Sequence, residues 1–142
     1  MINDGDTEEL PATVALDAGV RELVDGRNFA VVATLNADGG PQTSVVWVGR
    51  RGDAVVFSTT AGRKKARNLA RDPRISLTVY DRENPYRSAE IRGTAALLPD
   101  PDKELPRELS QHYLGEDPPP EPAEVVRLVV RIRAEKVVAI SL

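Results

Sequence analysis

The residues of this chain best suited to bind a ligand form a run of hydroxyls followed closely by a run of cations. They are Ser58, Thr59, Thr60, Arg63, Lys64 and Lys65. The segment that follows ends in Asp72-Pro73, which predicts a short helix with Thr59 or Thr60 as its N-cap. Because a helix N-terminus carries partial positive charge, each cation in the first turn opposes the helix dipole by about 0.3 to 1 kcal/mol. Amide donors, hydroxyls and cations that converge on one point suit a phosphate group, so a phosphate site is our working hypothesis.

The charge of this stretch sets it apart from the rest of the chain. Residues 58–74 contain six basic residues and one acidic residue, a net charge of +5, in a chain of 142 residues whose net charge is −3. The remainder therefore carries −8. A solvated basic face is the ordinary interpretation of one cationic helix, but so local a concentration of charge favours an anion site. Because nucleic-acid-binding domains usually have a basic footprint over a whole face, we expect no nucleic-acid partner.

Other groups that carry chemistry are scarce. The chain has no cysteine, which excludes disulfides and thiolate catalysis, and its single histidine, His112, excludes Ser-His pairs and sites with several histidine ligands. A metal site made only of carboxylates stays open, but no spacing suggests one. The first nine residues are acidic and polar, unlike a signal peptide, and no run approaches the ~18 apolar residues of a membrane span. We therefore expect a cytoplasmic protein with no membrane partner.

The remaining sequence predicts the elements that must position the site. Residues 16–24 place four aliphatic side chains on one helical face, and Asp25-Gly26 ends that helix. A polar helix over residues 100–114 and a proline-rich loop over 115–122 lie nearer the C-terminus. Strand patterns cover residues 29–35, 41–48, 54–58, 74–80, 86–98, 125–133 and 136–140, with turns at 49–53 and 134–135 and a bend or bulge at Gly93.

This pattern predicts one mainly β domain over residues 1–142, of which residues 1–12 are expected to be flexible. About seven strands and three short helices follow one another through short loops, which favours antiparallel pairing. So many short strands must close on themselves or pair with a second copy, and a small barrel is the natural solution. Within strand 41–48, Gln42 and Ser44 are polar residues on the same face as Val46.

Four pieces of the stretch 29–96 resemble, in order and spacing, the flavin-reductase-like split-barrel superfamily. They are the strand 30–35, the Gly-Pro-Gln-Thr-Ser strand at 40–44, the Ser-Thr-Thr run at 58–60 and the basic segment 63–74. Within that superfamily the chain resembles the small pyridoxamine-phosphate-oxidase-like proteins, many of which use the deazaflavin coenzyme F420. The resemblance implies a six-stranded antiparallel split β-barrel with short flanking helices, and a homodimer with cofactor sites between the subunits.

The resemblance also implies where a cofactor lies. The phosphate-binding positions of the family fall on Arg63 and Lys65, and the tricyclic ring follows the strand from Gln42 to Val46. No catalytic residue and no metal ligand is nominated. The predicted cofactor-binding residues are Gln42, Ser44, Val45, Val46, Ser58, Thr59, Thr60, Arg63, Lys64, Lys65 and Asn68.

The function implied is hydride transfer from reduced coenzyme F420 to a small organic acceptor. The alternatives are an FMN-binding oxidoreductase of the same type and a flavin-binding or haem-binding protein without turnover. Haem is disfavoured because His112 is the only histidine and lies outside the predicted strands. Residues 138–142 lack the basic signature of true pyridoxamine-phosphate oxidases, which argues against vitamin B6 chemistry.

Overall fold

This computed structural model describes residues 13–142 of the chain. They form seven strands and three helices joined by turns and loops. The segment predicted to be flexible, residues 1–12, lies outside the described residues. The helices are α1 (Ala18–Asp25), α2 (Lys64–Arg71) and α3 (Glu104–Leu114), and the strands are β1 (Phe29–Leu35), β2 (Pro41–Trp47), β3 (Gly49–Arg51), β4 (Ala54–Thr60), β5 (Arg74–Tyr80), β6 (Ser88–Pro99) and β7 (Arg127–Ile140). The predicted mainly β class and the three short helices are confirmed, and the strand count agrees although one predicted pair of strands is a single strand and β3 was predicted as a turn.

All seven strands belong to one curled antiparallel sheet in the order β2-β1-β5-β6-β7-β4-β3. Alternate residues of β1 and β5 are buried, which is the pattern of strands with one face on a core. The inner face is filled by large side chains that include Phe57, Leu77, Ile91 and Ile132. Helix α1 adds its apolar face to the same core, as the 3.6-residue spacing predicted.

Two turns that the sequence predicted are strand in the structure. Residues 134–135 lie within the continuous strand β7, and both halves of β7 pair with β6. The irregularity falls at the predicted bulge, where the register shifts between Arg92 and Gly93. Glu135 is the extra residue of β7 at that point, and its carboxylate accepts a hydrogen bond from Thr94 Oγ1 at 2.6 Å. Residues 49–51 pair with β4 as β3, and the turn itself is at Gly52, whose φ is 63°.

Helix α2 is joined to the end of β1 by a buried amide. Asn68 is 2% exposed, and its Nδ2 donates to Thr34 Oγ1 and to Asn36 Oδ1, both at 3.0 Å. Arg71 donates in turn to Asn68 Oδ1 at 3.2 Å. Because buried hydrogen-bond networks restrict rotation, these contacts fix the direction in which the first turn of α2 points. Within residues 13–142, no helix combines the length and the apolar character needed to cross a membrane.

Candidate functional site

A cleft of about 280 Å³ opens where β4 ends and α2 begins. The walls come from the ends of β2 and β4, the start of α2, one side of α3, Pro118 and the start of β7. Seven of the predicted cofactor-binding residues line it, together with five that were not predicted. The twelve are Val45, Val46, Trp47, Ser58, Thr59, Thr60, Arg63, Lys65, Pro106, Leu109, Pro118 and Arg127.

The start of α2 differs from the sequence prediction. Arg63 is the N-cap, and its side chain makes no capping hydrogen bond, so the predicted caps Thr59 and Thr60 are wrong. The reason is that β4 continues through Thr60 and pairs with β7, which leaves Ala61 and Gly62 to make the turn. The first amides of a helix have no partner within the helix. This N-terminus therefore presents amide donors beside cations and has no acidic residue in its first turn.

The cations at this end of α2 have no carboxylate partner among residues 13–142. None of the ion pairs there includes Arg63, Lys64 or Lys65. Burial, with a further contribution from the charge of Arg63, lowers the pKa of Lys65 below its usual value. At the other end of α2 the charges are compensated, because hydrogen bonds from Arg74 lower the pKa of Asp72 to about 2. Part of the uncompensated positive charge of α2, on Arg63 and Lys65, thus lines the cleft.

A buried hydroxyl in the cleft also lacks a partner. Thr59 is 3% exposed, and its Oγ1 makes no hydrogen bond within residues 13–142. The buried Oγ of Ser44, on β2, has no partner there either. A buried polar group without a partner costs about 1 to 3 kcal/mol, so such groups commonly serve a ligand. A hydroxyl donor, amide donors and cations in one cleft fit a phosphorylated group.

Four predicted site residues do not line the cleft. Lys64 is exposed, and Asn68 belongs to the buried network that joins α2 to β1. Gln42 accepts a hydrogen bond from Thr34 Oγ1 at 3.3 Å and donates to the carbonyl of Thr43 at 3.3 Å. Ser44 lies between Gln42 and the cleft-lining Val46 on β2. The geometry thus gives Asn68 a role in orienting the cationic helix.

Trp47 and Arg127 are the two polar or aromatic cleft residues that sequence reasoning missed. Trp47 stacks on Tyr113 with ring centroids 5.0 Å apart. The Tyr113 hydroxyl donates to the carbonyl of Asn28 at 2.6 Å and accepts from the amide of Val48 at 3.0 Å, so Tyr113 is held in place behind Trp47. A charged residue at the start of an apolar strand was the available signal for Arg127. Nothing local marks Pro106, Leu109 or Pro118, which reach the cleft through tertiary packing.

The unpartnered hydroxyl of Thr59 gives a prediction with two parts. In Thr59→Val, a methyl group replaces the buried hydroxyl at nearly constant volume, so we expect the unfolding free energy to stay the same or rise by about 1 kcal/mol. The affinity for inorganic phosphate should fall about tenfold, because one donor is lost. Chemical denaturation and calorimetric titration measure the two effects.

Thr34→Val is the matched control, since Thr34 is 1% exposed but its hydroxyl is hydrogen-bonded to Asn68 and Gln42. We expect this variant to lose about 1 to 3 kcal/mol of stability. An equal loss of stability in Thr59→Val would mean that the Thr59 hydroxyl has a structural partner and no role in binding.

Both the sequence and the structure of this chain are similar to those of known proteins. The sequence model of a family described as pyridoxamine 5′-phosphate oxidase matches residues 16–141. A pyridoxine/pyridoxamine 5′-phosphate oxidase of Kineococcus radiotolerans is 33% identical over 104 residues, which are 73% of this chain and 41% of that protein. The chain therefore spans less than half the length of this curated relative.

Two solved structures resemble the fold closely. An F420 reductase superposes with a TM-score of 0.79 at 28% identity, over 87% of this chain and 98% of the reductase. A conserved hypothetical protein from Mycobacterium tuberculosis superposes with a TM-score of 0.72 at 22% identity, over 95% of this chain and 90% of that one. The second comparison, at lower identity, bears on the fold alone.

Proposed function

Because this chain belongs to the pyridoxamine 5′-phosphate oxidase family, we propose that it is an oxidoreductase whose cleft binds a phosphorylated redox coenzyme. Its curled antiparallel sheet agrees with the split barrel that the sequence resemblance implied, although it has seven strands where six were expected. One observation carries the proposal of a coenzyme site. Arg63 and Lys65, without carboxylate partners in residues 13–142, line the same cleft as the unpartnered hydroxyl of Thr59.

The coenzyme proposed is F420, with FMN as the alternative. Support comes from the similarity to an F420 reductase, whose chain is covered almost completely. Such a coenzyme supplies hydride transfer to a small organic acceptor when it is bound. Arg63, Lys65 and the Thr59 hydroxyl would hold its phosphate. Val45, exposed at the rim, and the buried Val46 would offer apolar surface to its ring.

The affinity expected of such a site is adequate for a coenzyme. A hydrogen bond to a charged group contributes about 1.5 to 3 kcal/mol. Three or four of them approach the ~8 kcal/mol that corresponds to a micromolar dissociation constant. The chain's part is to anchor and orient the coenzyme, which agrees with the scarcity of other chemical groups.

The aromatic residues behind the cleft support its wall and do not supply a proton. Burial raises the pKa of Tyr113, so its hydroxyl stays protonated at neutral pH. That proton is already donated to the carbonyl of Asn28. Tyr113 therefore holds Trp47 in position at the edge of the cleft.

The assembly proposed is a homodimer with the cleft at the boundary between subunits. Val45 is an aliphatic residue of the cleft that is 64% exposed, and a second subunit would cover it. Sedimentation velocity should give the mass of a dimer for the wild type and a smaller species for Val45→Asp. A monomeric wild type would contradict this assembly.

A thermal-shift panel with FMN, coenzyme F420, haem and pyridoxal phosphate tests the proposed function. A ligand at 100 times its dissociation constant stabilises a protein by about 2.7 kcal/mol, which is readily measured. We expect stabilisation by coenzyme F420, or by FMN if the alternative holds. Stabilisation by haem alone would favour a binding protein without turnover, and no stabilisation by either redox coenzyme would contradict the proposal.

The pH dependence of anion binding provides a separate prediction. The pKa of Lys65 lies below its usual 10.5, and a bound anion favours the protonated form. Affinity for sulfate, which does not titrate in this range, should be highest at pH values where Lys65 is protonated. It should fall as the pH rises through this lowered value, earlier than an ordinary lysine would allow. Calorimetric titration at a series of pH values measures the profile.

Two substitutions serve as controls for this profile. Lys65→Arg keeps its charge throughout, so the fall in affinity should disappear. Lys64→Arg changes an exposed neighbour and should keep the wild-type profile. If wild type and Lys65→Arg give the same profile, Lys65 does not contact the anion.

A further inference from the structure

Arg127 lines the cleft, but one edge of its guanidinium is already hydrogen-bonded to a carboxylate of the same chain. Its Nη1 lies 3.4 Å from Ser58 Oγ, on the cleft side. Its Nε and Nη2 donate to the two carboxylate oxygens of Glu121 at 2.9 and 3.1 Å. Paired parallel hydrogen bonds are the form in which arginine recognises carboxylate and phosphate. Glu121 therefore sits where an anionic ligand of Arg127 would bind.

The carboxylate of Glu121 is shared between two cations at the junction of two cavities. A second cavity of about 460 Å³ adjoins the cleft, and Pro106, Pro118 and Arg127 belong to the walls of both. On the wall of the second cavity, Lys103 Nζ lies 3.3 Å from Glu121 Oε1 and donates to the carbonyl of Pro122 at 3.1 Å. A ligand extending from one cavity into the other would pass this ion pair.

The segment that carries Glu121 is stiff and anchored. Ser110 Oγ donates to the carbonyl of Glu116 at 2.6 Å, and Gln111 Nε2 donates to Asp117 Oδ1 at 2.8 Å. Residues 118–120 are three consecutive prolines, whose backbone has little conformational freedom to lose. The hydrogen bond from Arg127 lowers the pKa of Glu121, so this carboxylate is ionised at neutral pH. The fold thus holds a fixed negative charge on the wall of the second cavity, against the guanidinium of Arg127 that lines both cavities.

We propose that Arg127 is an anion-binding residue of the cleft and that Glu121 is its internal competitor. A second anionic group, phosphate or carboxylate, binds by taking the guanidinium of Arg127 from Glu121. The Glu121–Arg127 pair then sets how strongly the cleft selects ligands with more than one negative charge. This inference deepens the proposed function. It rests on that proposal because it assumes that the cleft binds anionic ligands.

The test is calorimetric titration of three proteins with inorganic phosphate and, separately, with glutarate. Glu121→Gln leaves the segment in place and releases the guanidinium, so affinity should rise about threefold to tenfold, as expected for loss of one partly exposed competing ion pair. Glu124→Gln is the control, because it removes the same charge only three residues from Glu121. The side chain of Glu124 is exposed and makes no ion pair within residues 13–142. The two probes distinguish a phosphate subsite from a carboxylate subsite.

A double-mutant cycle identifies Arg127 as the residue through which Glu121 acts. The gain from Glu121→Gln should vanish in the Arg127→Gln background, and Arg127→Met, which also removes the charge and keeps an apolar stem, replaces that background if Arg127→Gln unfolds. An unchanged or lower affinity in Glu121→Gln, an equal gain in Glu124→Gln, or a gain that persists without Arg127 would each overturn the inference. Because the probes are simple anions, a gain seen in a protein that binds no coenzyme would support the inference while contradicting the proposed function.

Discussion

The double variant Arg63→Glu/Lys65→Glu should lose coenzyme binding by about 100-fold or more while it remains folded. Each cation lines the cleft without a carboxylate partner in residues 13–142, and a charge-assisted hydrogen bond contributes about 1.5 to 3 kcal/mol. Stability should not fall, because acidic residues in the first turn of α2 favour the helix dipole by about 0.3 to 1 kcal/mol each. Calorimetric titration with coenzyme F420 and FMN, beside chemical denaturation, measures both quantities.

The control for this variant is Lys64→Glu/Arg67→Glu. It makes the same change in net charge on the same helix, but both side chains are exposed and neither lines the cleft. We expect an effect of only a few-fold on affinity, from the long-range field that salt screens. If the two double variants weaken binding equally, the helix attracts anions by its overall charge and no phosphate site exists in the cleft.

Gly93→Ala should destabilise the sheet strongly. At the bulge between β6 and β7, a Cβ on residue 93 would lie 1.8 Å from the carbonyl oxygen of Arg133 and 2.9 Å from its carbonyl carbon. Backbone atoms in a paired strand cannot move aside as the end of a side chain can. Overpacking of this kind costs about 3 kcal/mol or more, which corresponds to a fall in Tm of about 10 °C.

Gly62→Ala is the matched control for that substitution. A Cβ at Gly62, in the turn before α2, would meet no atom within 4 Å, and the backbone there has no positive φ. We expect its stability to stay within about 0.5 kcal/mol of the wild type. Thermal and chemical denaturation of the two variants give the comparison, and a Gly93→Ala protein as stable as Gly62→Ala would show that the bulge relaxes freely.

Local signals in the sequence were sufficient for most of the elements and for the cationic side of the cleft. The 3.6-residue spacing of residues 16–24 predicted α1, and Asp72-Pro73 predicted the end of α2. Gly93 predicted the bulge because a strand interior rarely contains glycine without a close backbone approach. The anomalous charges at 63–65 marked the start of α2, where the structure has a cleft.

What the sequence did not predict depends on partners far along the chain. The N-cap of α2 was misplaced because pairing with β7 extends β4 to Thr60, and that partner strand begins 67 residues later. Residues 134–135 resembled a turn, but β6 pairs with both sides of them and keeps β7 continuous. The network of the Asn68 amide with Thr34 and Asn36 had no signal in the sequence, because both partners lie more than 30 residues away. Arg127 and Trp47 reach the cleft only through the curl of the sheet.

A crystal structure of the protein grown with coenzyme F420, and a second grown with FMN, test the central claim most directly. We predict a phosphate group in the cleft of at least one of them, at about 3 Å from the side chains of Arg63 and Lys65 and from Thr59 Oγ1, the range of charge-assisted hydrogen bonds. A coenzyme bound with its phosphate away from the start of α2, or no coenzyme in either crystal at saturating concentration, would contradict it.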